Sequence, residues 1–243
     1  SYKALNRLDL ALRDYQAVYS PTVRNPFTST ALLEAAEIKF EQLDYGASLK
    51  LYQELRATAD AQQNRIQADF GIAKCYKAMG DYRQAMAVLE GITTNPEATL
   101  YAVNKAKVEI GECQYYLGDL DGALRTFSEI EAENKDQFGE QSQYWITQIL
   151  YDKGQYEAAK DAALYLKQTY PSDSYWRAKA FLVVADADYA LGNTFQAKGV
   201  LESLINEAPF DDIKQQAREK LDKILEEERQ AEGASVPNND GNN

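Results

Sequence analysis

The chain has 243 residues, of which 45% are hydrophobic, and its formal net charge is −12. This acidic balance argues against binding to nucleic-acid backbones and to anionic membranes, because both carry charge of the same sign. The sequence contains no histidine, which excludes Ser–His and Cys–His catalytic systems and removes the commonest general base near neutral pH.

A turn-forming or loop residue recurs six times along the chain, at spacings of 37, 37, 38, 36 and 38 residues. The turn column consists of Asn6, Leu43, Gly80, Gly118, Gly154 and Gly192. A small side chain follows five residues later, as Ala11, Ser48, Ala85, Ala123, Ala159 and Ala197. A fixed period of about 35–40 residues is typical of stacked helical hairpins, in which each unit buries its apolar face only against its neighbours.

The apolar periodicity predicts one helix over residues 7–19 and then five helix pairs, over 29–58, 64–94, 97–133, 139–169 and 174–207. The first helix of each pair, helix A, carries a small residue seven places before the turn, namely Ala36, Ala73, Gly111, Thr147 and Ala185. Small side chains let two helices approach closely. The second helix, helix B, places apolar residues three and four apart, on one face. Asp81, Asp119 and Asn193 follow turn residues, where a side-chain oxygen can cap helix B.

The repeat array is predicted to occupy residues 1–209, as a partial repeat over 1–26 followed by the five pairs. A helix over 210–232 has one apolar stripe and a charged opposite face, as expected of a cap on the array. Residues 233–243 lack apolar content and are predicted to be disordered. Residues 1–8 align with Cys75–Tyr82, near the end of a helix A, so we expect the chain to be a fragment of a longer array.

One segment carries the clearest signature, Ala73-Lys74-Cys75-Tyr76-Lys77-Ala78-Met79-Gly80-Asp81-Tyr82 followed by Ala85. It resembles the tetratricopeptide repeat, whose hairpin has a small residue in helix A, a Gly-Asp-Tyr turn and an Ala in helix B. The period here exceeds the family's usual value of about 34 residues, the family's early Trp is absent, and Leu43 replaces one turn Gly. The resemblance implies an all-α fold, a right-handed superhelical solenoid of antiparallel helix pairs.

Cys75 and Cys113 occupy equivalent places in adjacent repeats, five residues before the turn. A disulfide or a metal pair is one interpretation. We favour two small buried side chains, because equivalent positions in neighbouring repeats are expected to lie too far apart to bridge. Two thiols without a histidine also make a poor zinc site, so we predict no metal site and no cofactor.

Catalytic chemistry finds little support elsewhere in the sequence. The acidic pair Asp211 and Asp212 and the run Glu226–Glu228 lie on the final helix, where a charged solvated face is the favoured interpretation. No phosphate-cradling glycine loop is present. We therefore predict no catalytic residue and no enzymatic activity, and an enzymatic role would need a domain upstream of Ser1.

The resemblance implies a concave groove lined by helix A side chains, which we predict to bind a protein or peptide. Carried over position by position, the candidate residues are Glu37, Phe40, Phe70, Lys74, Lys77, Lys105, Glu112, Tyr115, Tyr144, Gln148, Tyr151, Asp186 and Tyr189. Lys74, Lys77 and Lys105 could clamp a carboxylate, as in family members that bind chaperone tails, although the asparagines of those members are not matched.

An aromatic column lies three residues before the turn, at Phe40, Tyr115, Tyr151 and Tyr189, and is broken by Lys77. Aromatic rings with a polar tip are suited to holding a peptide, because they supply large contact area for little lost rotamer freedom. The alternative is that these rings pack between helices A and B of their own repeat.

A second resemblance concerns location. The segment Tyr170-Pro171-Ser172-Asp173-Ser174-Tyr175-Trp176-Arg177-Ala178 is similar to the Tyr-Pro-x-Ser repeats of bacterial envelope proteins, including outer-membrane assembly lipoproteins and the coordinator of the Tol-Pal system. It implies a periplasmic, envelope-associated bacterial protein, with the cytoplasm as the alternative. No run approaches the roughly 18 apolar residues needed for a membrane-spanning helix.

Two functions are compatible with these observations. The leading hypothesis is a non-enzymatic scaffold that holds a peptide or partner subunit in the groove, and the alternative is a structural module that self-associates into a homo-oligomer. A groove binder should show clustered exposed aromatic residues, whereas a self-associating module should show an extensive apolar interface.

Overall fold

The computed structural model describes residues 8–20, 25–170 and 174–235, with only the backbone for 232–235. Within these ranges it consists of helices and turns, without a strand. The helices are α1 (Leu8–Tyr19), α2 (Thr28–Glu41), α3 (Tyr45–Thr58), α4 (Gln62–Ala78), α5 (Tyr82–Thr93), α6 (Leu100–Tyr116), α7 (Leu120–Glu133), α8 (Gln137–Asp152), α9 (Tyr156–Thr169), α10 (Tyr175–Ala190), α11 (Thr194–Glu207) and α12 (Asp211–Ser235). The predicted all-α class is confirmed.

The helices form the five predicted pairs, and each pair begins and ends within three residues of the position predicted from the periodicity. Helices α2, α4, α6, α8 and α10 are the A helices, and α3, α5, α7, α9 and α11 are the B helices. Helix α12 continues to Ser235, three residues into the segment expected to be disordered. The turn residue Asn6, the joint residue Pro171 and the rest of the predicted tail lie outside the described residues.

The chain divides into two compact units, Ser1–Thr126 and Phe127–Asn243, here called unit 1 and unit 2. In unit 1 each helix from α1 to α6 packs against the next one in the chain. In unit 2 the same holds from α8 to α12, and α10 also packs against α8 and α12. The boundary falls inside α7, which therefore contributes residues to both units.

The turn column is confirmed at its five described positions. The four glycines have φ between 73° and 82°, and Leu43 has φ 61°, a left-handed conformation that favours glycine. In the Gly80 turn, the backbone N–H of Asp81 donates to the carbonyl of Tyr76, and that of Gly80 donates to the carbonyl of Lys77. This pair of bonds is the Schellman motif, which satisfies the last carbonyls of a helix.

At three of these turns, the aspartate that follows the turn residue caps helix B. The Asp44 and Asp81 carboxylates accept hydrogen bonds from the N–H groups of Ala47 and Gln84, each at 3.2 Å, and Asp119 caps its helix in the same way. The prediction was wrong for Asn193, whose side chain does not cap α11. Its amide Nδ2 instead donates to Asp188 Oδ1 at 3.5 Å.

The small-residue columns lie in the helix contacts, as the close approach of helices A and B requires. Ala36, Ala73 and Ala85 are fully buried. Where Ser48 replaces the helix B alanine, its hydroxyl donates to the Ala36 carbonyl at 2.8 Å, so the polar group is satisfied in the core. Cys75 and Cys113 are both buried and both free thiols, which confirms the interpretation as small core residues.

Candidate functional site

Polar and aromatic side chains of α2, α4 and α6 include contacts between neighbouring A helices, and we call this set of residues the A face of unit 1. Its members are Glu37, Phe40, Phe70, Lys74, Lys77, Lys105, Glu109, Glu112 and Tyr115. Glu37 accepts a hydrogen bond from Tyr52 at 2.8 Å and pairs with Lys74 at 3.3 Å. The Lys74 ammonium also lies 4.0 Å from the centre of the Phe40 ring, so α2 and α4 are joined by both a charge pair and a cation–π contact.

Lys77 links the next pair of A helices. Its ammonium lies 2.8 Å from Glu109 and 3.3 Å from Glu112, both on α6. Burial alone would lower the pKa of Lys77, but the two carboxylates outweigh burial and the pKa is raised. The ammonium therefore stays charged throughout the physiological range, held between two fixed anions.

Lys105 completes the A face of unit 1. Its ammonium lies 4.2 Å from the centre of the Phe70 ring and 4.0 Å from Glu109. All three lysines of the proposed carboxylate clamp thus already face a carboxylate of the chain itself. A ligand carboxylate would have to compete with these internal anions, which disfavours the clamp.

The aromatic column does not behave as one surface. Phe40 packs against Tyr45 at 5.0 Å between ring centres, and Tyr151 packs against Tyr156 at 5.4 Å. Each partner is the first residue of helix B in the same repeat, as the alternative interpretation expected. Tyr115 instead meets its neighbour Tyr116 edge-on at 5.3 Å.

Tyr189, the last member of the column, is 36% exposed and donates a hydrogen bond to Glu227 of α12. On the same side of α10, Asp186 accepts from Lys220 of α12 at 2.7 Å. Helix α12 therefore occupies the place of a further helix A, and its charged side chains satisfy the polar tips of α10. The two candidate residues remain at the surface but are held by α12.

Two further candidates lie on α8 in unit 2. Tyr144 is only 5% exposed, because its ring packs against Trp145 and Trp176, each at 5.3 Å between centres. The Lys179 ammonium lies 4.6 Å from the centre of the same ring. Gln148 donates to Asp152 on its own helix at 3.0 Å. Tyr144 thus offers a partner far less surface than its position suggested.

The structure also shows participants that were not among the candidate binding residues, namely Glu109, Lys220 and Glu227. Glu109 follows Lys105 by four residues, a spacing that brings opposite charges together on one helix. This spacing could have been recognised in the sequence. Lys220 and Glu227 could be found only by recognising that α12 continues the column of A helices. In the described part of the chain, no group of three or more His, Cys, Asp or Glu could hold a metal ion, and no helix there is long and apolar enough to cross a membrane.

A family model described as "Tetratricopeptide repeat" matches residues 67–97 and 179–211. Two segments of this chain therefore match that family. Each matched segment contains the small residue of helix A, the turn glycine and the helix B alanine, as in Ala73, Gly80 and Ala85. No curated protein matches the sequence of the chain.

Solved structures show the same tetratricopeptide-like fold. A tetratricopeptide repeat protein from Parabacteroides merdae ATCC 43184 superposes with a TM-score of 0.70 at 17% identity, covering 98% of this chain and 90% of that one. The apo form of the quorum sensor NprR from B. thuringiensis gives 0.68 at 17% identity, covering 92% of this chain and 66% of NprR. NprR in complex with its cognate peptide NprX gives 0.57 at 16% identity, covering 96% and 68%. These similarities establish the fold.

Proposed function

We propose that this chain is a non-enzymatic interaction scaffold, working without a cofactor, whose A helices bind a peptide segment or a partner subunit. The observation that carries the proposal is the contact network on the A face of unit 1. Side chains from α2, α4 and α6 are held to one another across repeat boundaries, at Glu37–Lys74 and at Lys77–Glu109 and Lys77–Glu112.

Such a network favours binding because it fixes groups that remain accessible. The side chains of Lys74 and Lys105 are 43% and 42% exposed, yet each ammonium is placed over a ring of the preceding A helix. A ligand that contacts pre-ordered side chains loses less conformational entropy on binding than one that must order them. The A face of unit 1 offers alternating charges and aromatic edges, which suits a polar peptide with scattered apolar residues. The peptide complex of NprR, which shares the fold, gives this proposal independent support.

Site-specific photo-crosslinking in cells that produce the protein tests where a partner binds. A crosslinking amino acid would replace Lys105 or Tyr151 on A helices, and Glu90 or Asp161, which are exposed on B helices, as matched controls. We expect crosslinked products from the first two positions and none from the controls. Products only from the B helices would contradict the proposal.

A quantitative pull-down adds a second test. The partner recovered by the wild-type chain should be depleted by the double substitution Phe70→Ala with Lys105→Glu, because a ring and a charge of the A face are both removed. Arg83→Glu, at an exposed position on α5, changes the net charge equally and should leave recovery unchanged. Equal loss with the Arg83 variant would show that only overall charge matters.

We also propose a place in a bacterial cell-envelope complex as the finer setting of this function. The support is the resemblance of the Tyr170–Ala178 segment to envelope repeat proteins. Fractionation of cells carrying the tagged full-length protein tests it, and recovery only in the cytoplasmic fraction would overturn it.

Self-association is a second candidate because unit 1 exposes apolar side chains at successive turns between helices A and B. Leu43 is 71% exposed, Met79 44%, Tyr116 54% and Leu117 41%. Sedimentation equilibrium of the wild-type chain and of Leu117→Lys would decide. A dimer that the substitution disrupts would favour this candidate, and a wild-type monomer would exclude it.

A further inference from the structure

Unit 2 contains a cleft of about 630 Å³ between α9 and α11, with α10 as its floor. This volume falls within the range of about 300–1,000 Å³ that is usual for ligand-binding pockets. The apolar part of the cleft is formed by Ala178, Phe181, Val200 and Leu204, all of them half-buried. Helical periodicity places Phe181 roughly 140° around α10 from Asp186, so the cleft is separate from the A-helix surface proposed above.

Phe181 is what distinguishes this cleft from the corresponding places in other repeats. It lies eleven residues before the turn, a column that also contains Leu32, Asp69, Lys107 and Gln143. Leu32 is fully buried. Asp69 is paired with Arg56 of the preceding helix B at 2.7 Å, and Gln143 donates to the Ala162 carbonyl at 3.0 Å. At Leu32, Asp69 and Gln143 internal contacts occupy the position, whereas the Phe181 ring remains half-exposed in an open cleft.

The charges of the cleft differ from those of the unit around it. Residues 127–243 contain 22 Asp and Glu against 12 Lys and Arg, a net charge of −10. Lys167 and Arg177 nevertheless line the cleft at the end where α9 finishes and α10 begins. Asp188, at the other end, is neutralised by Lys160 at 2.8 Å. Glu207 is the carboxylate that opposes the two cations.

Lys167 is the more available of these cations. Its side chain is exposed, and its ammonium lies 5.7 Å from the centre of the Phe181 ring. Among the described residues, no carboxylate lies within ion-pair distance of it. A cation next to an apolar floor, in an otherwise acidic unit, is complementary to a ligand that carries a carboxylate beside a large apolar group.

We propose that this cleft is a second docking site, which binds a partner segment carrying a large apolar side chain next to Asp or Glu. The apolar side chain packs on Phe181, Val200 and Leu204, and the carboxylate pairs with Lys167 and Arg177. The lining residues of α11 run from Gln196 to Glu207, a length of about 16 Å. An extended segment of about five residues spans that length.

A displayed library of random dodecamer peptides is the probe for this proposal. It would be selected on the full wild-type chain, with counter-selection on the double variant Phe181→Gln with Lys167→Glu. We expect the recovered peptides to combine aromatic or aliphatic residues with Asp or Glu. The affinity of a recovered peptide should fall about tenfold in each single variant, because an apolar contact or a charge pair is lost. Glu207→Gln should strengthen binding a few-fold, because the opposing carboxylate is removed.

Controls separate this site from the A helices and from unfolding. Lys167→Glu changes an exposed side chain and should leave the fold intact by circular dichroism, even if Phe181→Gln weakens it. Lys105→Ala should not alter the affinity of the peptide. Failure to recover peptides, recovery of basic peptides, or peptides insensitive to both cleft variants would each overturn the proposal. Peptides sensitive to Lys105 but not to Lys167 would instead support the A face of unit 1 and overturn the cleft.

Discussion

Leu43 adopts a left-handed backbone conformation that a residue with a side chain disfavours. It has φ 61°, a conformation that costs a residue with a Cβ about 1–2 kcal/mol, and its side chain is 71% exposed. The side chain therefore gains little from burial that could offset the backbone cost. The exposed leucine offers an apolar contact at the surface, such as the self-association considered above would use.

Leu43→Gly is expected to raise the free energy of unfolding by about 0.5–1 kcal/mol, because glycine adopts this conformation without strain but loses more entropy on folding. Urea denaturation monitored by circular dichroism measures the change. The matched control is Gly80→Leu, at a turn with φ 79° where an added Cβ meets no atom within 4 Å. It should lower stability by about 1–2 kcal/mol. If Leu43→Gly were less stable than the wild type, the leucine side chain would make a contact whose stabilisation exceeds the cost of its backbone conformation.

The buried thiol of Cys113 makes stability depend on alkaline pH. Burial raises the pKa of Cys113 to about 11 from 9.0. Since the folded-state pKa is the higher one, the contribution to stability is complete below pH 9 and is lost as the pH rises towards 11. Cys113→Ala should therefore lose less stability than the wild type over that interval, by at most about 2 kcal/mol. Parallel stability curves of the two proteins between pH 9 and pH 11 would contradict this expectation.

The turn between helices A and B is a single structural unit. The N–H groups of Asp44 and Asp81 bond to carbonyls at the end of helix A, and their carboxylates cap the start of helix B. Asp44 and Asp81 have nearly the same backbone angles, φ −85° and ψ 68° against φ −88° and ψ 67°. Gln155 has φ −88° and ψ 60° but provides no side-chain cap. The backbone at α9 is therefore already arranged for a capping residue that the sequence does not supply.

Gln155→Asp is expected to stabilise the chain by about 0.5–1 kcal/mol, because its carboxylate can accept from an N–H group in the first turn of α9. Thermal unfolding measures the gain. Asn193→Asp at the start of α11 is the comparison. It should give a smaller gain, since the new carboxylate would lie beside Asp188, which now contacts the Asn193 amide. An equal or larger gain at position 193 would show that this repulsion is unimportant.

Helix positions and turns could be predicted from the sequence because they depend on local periodicity. The column from Leu43 to Gly192 fixes where each hairpin bends, and the structure agrees at every described position. Contacts between repeats could not be predicted in the same way. Whether Tyr144 faces a partner or the rings of Trp145 and Trp176 depends on the register of neighbouring A helices. The cleft beside Phe181 was missed for the same reason, since a column of residues does not show which helices leave space between them.

The two units differ in charge, and this difference bears on what each can bind. Unit 1 contains 16 Asp and Glu against 14 Lys and Arg, a net charge of −2, whereas unit 2 has −10. The lysines of unit 1 are used in pairs across its A helices, which leaves a nearly balanced surface. An acidic ligand of unit 2 is therefore repelled by the unit as a whole and has to be attracted locally, by Lys167 and Arg177.

Each core is also built from its own neighbouring helices. In unit 2, Ile213 of α12 is fully buried in a cluster with Leu182 of α10 and Leu201 of α11. In unit 1, Leu55 of α3 is buried in a cluster with Leu32 of α2 and Ala68 of α4. Because repeats contact only their neighbours, stability is expected to add up from local terms rather than from one central core.

Ile213→Ala is expected to cost about 2–4 kcal/mol, from lost burial and the cavity left behind. Hydrogen exchange should show faster exchange in α10, α11 and α12, while α2 and α3 keep their protection, because the cavity lies in contacts made only within unit 2. Leu55→Ala is the corresponding experiment in unit 1. It should accelerate exchange in α2, α3 and α4 and leave exchange in α12 unchanged. If either substitution accelerated exchange uniformly along the chain, the two units would unfold as a single cooperative structure, and the local account of stability would be wrong.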